Sequence, residues 1–366
     1  MAQRNSANER NSAKGHSVTL EEVARLAGVS RATGSRVVNG SPKVSPEARQ
    51  SVEDAIATLG YVPNRAARSL VTRRSDSIGV IIPESTGRVF GDSFFHLFLT
   101  GIGSALGTRG LQLVLLMAQS GEEEKRLEQY VAAGHIDGVI LTALHGNDPL
   151  PERLAARGVP VVVSGRPPRG ARASYVDADS RSGGRSAAAH LLAQGRQNVA
   201  TISGSLDMPA AFDRLLGYRD ALEADGRPPD PSLEDVGDFS SDGASAAMTR
   251  LLERRPDLDG VFAASDSMAV AALSVLQAAG RRVPEDVAVV GFDDQPVATT
   301  SRPPLSSIRH PIEAMSQEMV RLLLHAIDTR DRTPRHLVFP TELVVRESSG
   351  GVSDPAAIPS RNDETN

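Results

Sequence analysis

Arg31 and Arg36 carry the chemistry most easily read from this 366-residue chain. A guanidinium presents a planar fork of donors that matches guanine O6 and N7, and one bidentate pair discriminates between bases by about 1–3 kcal/mol. The alternative for both is a solvated surface arginine. Other kinds of chemistry find little support. There is no cysteine, hence no thiol nucleophile, disulfide or Cys-based metal site. His96, His135, His145, His190, His310, His325 and His336 are scattered without metal-ligand spacing. Gly101-Ile102-Gly103 lacks the third glycine of a dinucleotide loop and lies in a helical pattern, and no Gly-Lys-Ser/Thr phosphate loop occurs. Asp177/Asp179 and Asp293/Asp294 are close carboxylates, but Asp-rich strand ends are ordinary. Nothing forms a nucleophile–base pair. The chain reads as a non-enzyme with no cofactor and no metal.

Short helices must present the two arginines. Thr19-Leu20-Glu21-Glu22 is a capping box, and Leu20, Val23, Ala24 and Ala27 form one apolar stripe at helical spacing. Gly28 ends that helix. Ser30 caps a second one, running to about Val38, whose positions 31, 32, 35 and 36 point away from the stripe. Two short helices joined by a tight glycine turn make a helix-turn-helix. Ser45-Pro46-Glu47 opens a third helix, which buries Val52, Ala55, Ile56 and Leu59 and ends at Gly60. Residues 1–74 hold twelve Lys/Arg against six Asp/Glu, a balance of +6 in a chain of −5, so the remainder carries −11. A basic module on an acidic body places a polyanion at the module.

Downstream, Ile78–Pro83, Leu111–Met117, Gly138–Thr142, Val159–Val163, Asn198–Ser203, Gly260–Ala264 and Val287–Gly291 read as strands. They alternate with helical stretches, among them those at about 214–225, 242–254 and 267–279, as in parallel sheets covered on both faces. Residues 1–17 and 351–366 read as disordered arms. No signal-peptide pattern is visible at the N-terminus, and no stretch nears the ~20 apolar residues of a membrane span. With the missing cysteines, this suggests a cytoplasmic protein.

VTLEEVARLAGVS at Val18–Ser30, the Thr33-x-Ser35-Arg36-Val37-Val38-Asn39 pattern and GYVPNRAARSL at Gly60–Leu70, followed by SIGVIIP at Ser77–Pro83, resemble the headpiece, hinge and first core strand of the LacI/GalR family of transcriptional regulators. The resemblance runs to about residue 350. It implies an N-terminal all-α helix-turn-helix headpiece over 18–62 and a hinge helix with linker over 63–74. An α/β two-lobed, periplasmic-binding-protein-like (type I) core with parallel sheets would follow over 75–350. Its lobes would comprise 75–178 with 305–338, and 179–304 with 339–350, the chain crossing near 178, 305 and 339. Arg31, Ala32 and Arg36 then match base-reading positions. Ser30 starts the reading helix, and Thr19, Thr33, Ser35 and Asn39 suit phosphate contacts. Asn64, Arg65 and Ala67 belong to the hinge, and Leu70 matches a wedge that enters the minor groove. A linker leucine packed on the core is the alternative for Leu70. Gly34 departs from the family's usual Val. Glycine costs about 1 kcal/mol inside a helix, and the missing isopropyl is expected to leave a hole that Gly34→Val would fill.

The same resemblance implies effector-contacting residues where strand ends meet helix starts. These are Ser85, Phe94 and Phe95, then Arg166, then Arg214, Phe239, Ser265, Asp266 and Asp293. Plain core is the alternative for the three phenylalanines, a turn or cap for Asp293, and a helix N-cap for Asp266. Ser265 replaces a frequent Asn, and Gly165-Arg166 replaces a frequent Asp-Arg. The chain has no Trp, a favoured sugar-stacking residue. The leading expectation is a homodimeric repressor on a pseudo-palindromic double-stranded operator, released by a small molecule, a sugar, in the cleft. A corepressor-activated repressor with a purine-type ligand and a solute-binding protein without DNA are the competitors. Leu70→Ala should weaken operator binding far more than non-specific DNA binding; equal losses in a binding titration on both DNAs would remove the wedge role.

Overall fold

The computed structural model describes residues 18–62, 74–119, 121–167 and 173–351. The chain divides into two compact units at Ser75/Asp76. The two disordered arms expected at the ends lie outside the described residues except for Gly351, as does the hinge over 63–73.

In the first unit, α1 (Leu20–Leu26), α2 (Arg31–Val38) and α3 (Pro46–Leu59) follow the start and stop signals closely. The capping box at Thr19 is complete: the Glu22 N–H donates to Thr19 Oγ1 at 3.3 Å, and the Thr19 N–H to Glu22 Oε2 at 2.8 Å. Ser30 and Ser45 accept from the amides of Thr33 and Ala48. Gly60 ends α3 in the left-handed region, where a side chain is strained. Val23, Val37, Val52 and Ala55 form the small core, flanked by Val18, Val29, Val44, Ile56, Leu59 and Tyr61.

The second unit opens with β1 (Ser77–Ile82), α4 (Thr86–Gly91), α5 (Ser93–Gly107), β2 (Gln112–Met117), α6 (Gly121–Tyr130), β3 (Gly138–Leu141), α7 (Leu150–Ala156), β4 (Val161–Ser164) and β5 (Ser174–Ala178). The chain then enters a second lobe. That lobe comprises α8 (Ser180–Ala193), β6 (Val199–Ser203), α9 (Pro209–Ala224), β7 (Glu234–Val236), α10 (Ser241–Arg254), β8 (Gly260–Ala263), α11 (Asp266–Ala278), β9 (Ala288–Asp293), α12 (Pro296–Thr300) and β10 (Ser306–Arg309). It returns through α13 (Ile312–Thr329) and β11 (His336–Phe339) to the first lobe, and ends with β12 (Glu342–Val344) in the second. The first sheet has the order β11-β5-β4-β3-β1-β2 and is parallel throughout. The second runs β12-β10-β9-β8-β6-β7, with only β12 antiparallel. Apolar clusters cover both faces of each sheet, which is why the central strands read as unbroken Val/Ile/Leu runs.

One boundary differs from the sequence expectation. The return to the first lobe comes after β10 and not near 305, because Ser306–Arg309 pairs with β9 in the second sheet. Ser306 and Ser307 disguise this strand; both are fully buried, their hydroxyls bonded within the lobe. Strands β5, β7, β11 and β12 are short or polar and carry no clear apolar run.

The hole expected at Gly34 is a contact. A β-carbon there would sit 3.4 Å from Ala24 Cβ and 3.7 Å from Leu20 Cδ1, ordinary van der Waals distances. The helices have closed on the glycine, so a methyl group fits in ordinary contact, whereas valine would add two further methyls against the same neighbours. Gly34→Ala should therefore raise the stability of the isolated headpiece by up to about 1 kcal/mol through helix propensity, and more than Gly34→Val does. A thermal melt ranking valine above alanine would refute the close packing.

Candidate functional site

In the headpiece, α2 turns Arg31, Ala32 and Arg36 to solvent and buries Gly34 and Val37. Thr33 and Ser35 are half-buried. The Ser30 hydroxyl caps α2 and bonds the Thr33 hydroxyl at 2.9 Å, while Asn39 Nδ2 donates to Ser35 Oγ at 3.3 Å. Each of these side chains is thus tied to a near neighbour within α2 or its caps. Arg31 forms an ion pair with Glu21 of α1, both well exposed. Such a surface pair is worth well under about 1 kcal/mol, so it orients the guanidinium at little cost to a competing base or phosphate. The hinge residues Asn64, Arg65, Ala67 and Leu70 lie outside the described residues.

In the second unit, a cavity lies between the lobes. It is lined by Phe94, Phe95, Arg166, Arg214, Phe239, Ser265 and Asp293. The structure therefore brings together seven of the nine effector residues expected from sequence. Ser85 caps α4 and borders an adjoining pocket that shares Arg88, Asp92 and Phe239. Asp266 stands behind the cavity wall. It is not the N-cap of α11; Ser265 is, accepting from the Met268 amide at 3.3 Å. The Asp266 carboxylate, fully buried, instead accepts from the Gln295 amide at 2.7 Å and the Ser307 hydroxyl at 2.6 Å. It ties β9's exit to β10.

Arg214 dominates the floor. Only 5% exposed, it donates to the Ala264 carbonyl at the end of β8 and to Asp293 at 3.4 Å, and its guanidinium lies 3.6 Å from the centre of the Phe292 ring. Its helix can sit this deep because α8 and α9 touch backbone to backbone. A β-carbon at Gly184 would fall 2.2 Å from the Arg214 carbonyl oxygen, and one at Gly217 2.0 Å from that of Arg181. Phe239 presents its ring with Arg88 of the first lobe at 5.5 Å and Arg214 of the second at 5.8 Å. Phe95 is both core and cavity wall, while Phe94 packs near the His310 ring.

Backbone strain collects here too. Of seven non-glycine residues with positive φ among the described residues, Ala143, Phe239 and Asp293 line the cavity, Asp238 lines the adjoining pocket and Asp294 follows Asp293. Such conformations cost about 1–3 kcal/mol each and persist where the surroundings dictate them. Burial raises the carboxyl pKa values of Asp92 and Asp177, and lowers that of the Arg214 guanidinium against the pull of Asp293. Arg88 and Arg214 each keep a buried Nε without a hydrogen-bond partner. A cavity lined by desolvated carboxylates, a buried guanidinium and aromatic rings favours a ligand rich in hydroxyl groups.

Sequence reading missed Arg88, Asp92, Asp177 and His310, which also line the cavity. Asp92 had a readable signal, as the N-cap of α5 two residues before Phe94. The others sit at ends or bends that only the fold brings together.

The Bacterial regulatory proteins, lacI family, match at residues 19–64, and the Periplasmic binding protein-like domain matches at 188–349. The HTH-type transcriptional regulator CelR of Thermobifida fusca is 51% identical over 333 residues, covering 90% of this chain and 98% of that protein. The HTH-type transcriptional regulator AscG of Escherichia coli (strain K12) is 32% identical over 332 residues, covering 90% and 98%. Among solved structures, the transcriptional regulator CelR–cellobiose complex superposes with TM-score 0.72 at 49% identity, covering 90% of this chain and 99% of that one. The lac repressor dimer bound to operator and the anti-inducer ONPF gives TM-score 0.78 at 27% identity, covering 91% and 99%.

Asp266 offers a test of the cavity's rear wall. Burial holds its carboxyl well above the usual range. A group whose folded pKa is raised favours the fold most at low pH, and that advantage fades as pH rises through the raised value. Asp266→Asn can accept from Gln295 and donate to the Ser307 hydroxyl without a charge, so its melting temperature should fall little and vary less with pH. Asp266→Ala orphans both partners and should cost about 1–3 kcal/mol. Equal melting losses for the two would contradict the bracing role.

Proposed function

We propose, on the premise that this chain belongs to the lacI family of bacterial regulatory proteins and is a sequence-specific DNA-binding transcriptional regulator, that a β-linked glucose disaccharide of the cellobiose kind binds in its interlobe cavity and releases it from the operator. Family membership makes it a regulator and not an enzyme. No helix of the described residues is long and apolar enough to cross a membrane; the DNA-binding role supports the reading that it acts in the cytoplasm.

The observation that carries the sugar reading is the buried Arg214. It lines the cavity with Nη1 bonded to the Ala264 carbonyl and Nη2 to Asp293, each nitrogen keeping a second N–H. A hydroxyl oxygen accepts from such an N–H without bringing a second charge. Asp92, Asp177 and Asp293 supply acceptors, and the rings of Phe94 and Phe239 supply flat apolar faces for a pyranose. The CelR relative has been solved with cellobiose, which supports this class. Neither the purine-corepressor reading nor the solute-binding reading is favoured, because the relatives are transcriptional regulators and one of them carries a sugar.

In the headpiece, Arg31 and Arg36 read bases, with Ala32 between them leaving room for a base edge. Thr19, Ser30, Thr33, Ser35 and Asn39 position the helix on phosphates. Two copies of the chain bind one pseudo-palindromic site, their hinge segments meeting at its centre, where Leu70 is the wedge. The effector shifts the equilibrium only by as much as it prefers one arrangement of the lobes.

The experiment is an anisotropy titration on an operator selected from random DNA. Cellobiose should weaken binding by the wild-type protein. Arg214→Ala should still bind the operator but ignore the sugar. Arg31→Ala and Arg36→Ala should each lose about 1–3 kcal/mol of operator affinity and relax the sequence preference. Operator binding that ignores cellobiose, or that tightens with it, would overturn the proposed effector and its sign.

A further inference from the structure

Two ion pairs cross from one lobe to the other beside the cavity. Arg166, following β4, donates to Asp213 of α9 at 2.5 Å. His145, following β3, lies between two carboxylates: its Nε2 is 3.0 Å from Glu84 Oε1 in its own lobe, and its Nδ1 is 2.9 Å from Asp207 Oδ2 in the other. The Gly146 amide donates to the Asp207 carbonyl at 3.0 Å, fixing the two loops against each other. Between these crossings, Met208, Pro209 and Ala210 form part of the cavity wall, whereas His145, Asp207 and Asp213 do not line it.

A neutral imidazole has one N–H and so satisfies one of the two carboxylates, leaving its lone pair against the other. Only the imidazolium donates to both. We infer that His145 and Asp207 form a proton-dependent latch between the lobes, which holds the cavity closed over its effector without touching it. Both are positioning residues, and the inference rests on the proposed effector only for its consequence on binding, not for the latch itself.

The charged groups facing the ring among the described residues are Glu84, at the end of β1, and Asp207; Arg88 of α4 lies beyond, bonded to the same Glu84 oxygen at 2.5 Å. The His145 pKa is raised, by Glu84 foremost and by Asp207, against the opposing effect of burial. Opening the lobes removes Asp207 and leaves Glu84, so the closed state holds the proton more tightly than the open one. Closure is therefore favoured below the open-state pKa, and that preference is lost as pH rises through the closed-state value. Acidification closes the cavity and alkali loosens it.

The chain has no cysteine of its own, so a spin-label pair placed by Lys125→Cys on α6 and Glu253→Cys on α10, both exposed, reports the lobe separation directly in the ligand-free protein. The distance distribution should shift toward shorter values at about pH 6 relative to about pH 8. Asp207→Asn, an exposed and nearly isosteric change, should abolish the shift. In parallel, calorimetry should show cellobiose binding roughly three- to tenfold tighter at the lower pH in the wild type, and with no pH dependence in Asp207→Asn. A separation that ignores pH, or a shift that survives Asp207→Asn, overturns the latch. A pH-dependent separation with no cellobiose binding at any pH upholds the latch and overturns the proposed sugar.

Discussion

Burying one guanidinium sets the terms for the second unit. An isolated charge out of water is costly, and the cost is met only where several partners converge on it. Arg214 is met by the carbonyl at the end of β8, the carboxylate at the end of β9 and the face of the Phe292 ring. Those partners exist in one place because β8 and β9 are neighbours in a parallel sheet, so both present their C-terminal ends at the same edge. The helix bearing Arg214 reaches that edge because Gly184 and Gly217 remove the side chains that would hold α8 and α9 apart. Sheet order, helix packing and cavity chemistry are one solution to one problem.

Asp293 shows how that solution spreads. Its carboxylate faces Arg214, His310 and Gln295, and its backbone is held at φ 105°, which few side chains tolerate. Behind it, Asp266 secures both the Gln295 amide and Ser307. The hydrogen bonds that fix the cavity floor therefore also fix β10 and the segment where the chain returns to the first lobe. A ligand bound to Arg214 or Asp293 acts on groups already tied to the connection between the lobes, which is the physical requirement for a ligand to bias their arrangement.

Legibility varied with how local the cause was. The caps at Thr19, Ser30 and Ser45 were readable because a hydroxyl bonds an amide three residues on, and that geometry needs no tertiary context. The central strands were readable because burial on both faces demands continuous Val, Ile and Leu. β10 was not, because its buried serines are satisfied by Arg346 and Asp266, forty or so residues away. The N-cap of α11 fell on Ser265 and not on Asp266 for the same reason: either side chain can cap a helix, and only the distant Gln295 and Ser307 decide that the carboxylate faces backward. At Gly34 the residue type signalled a departure, but the distance between two helices decided that no hole was left.

By itself, the sequence determined the helix-turn-helix, its exposed arginines, the α/β alternation after it and seven of the residues that meet in the cavity. These follow from near-neighbour hydrogen bonding, from the period of apolar residues and from a resemblance carried by contiguous motifs. Only the tertiary structure decided which strand belongs to which lobe, that Arg88, Asp92, Asp177 and His310 join the cavity, and that His145 lies between carboxylates of two lobes. The physical reason is the same throughout: a hydrogen bond or ion pair across sixty residues depends on where two loops end in space, and no spacing along the chain encodes that position.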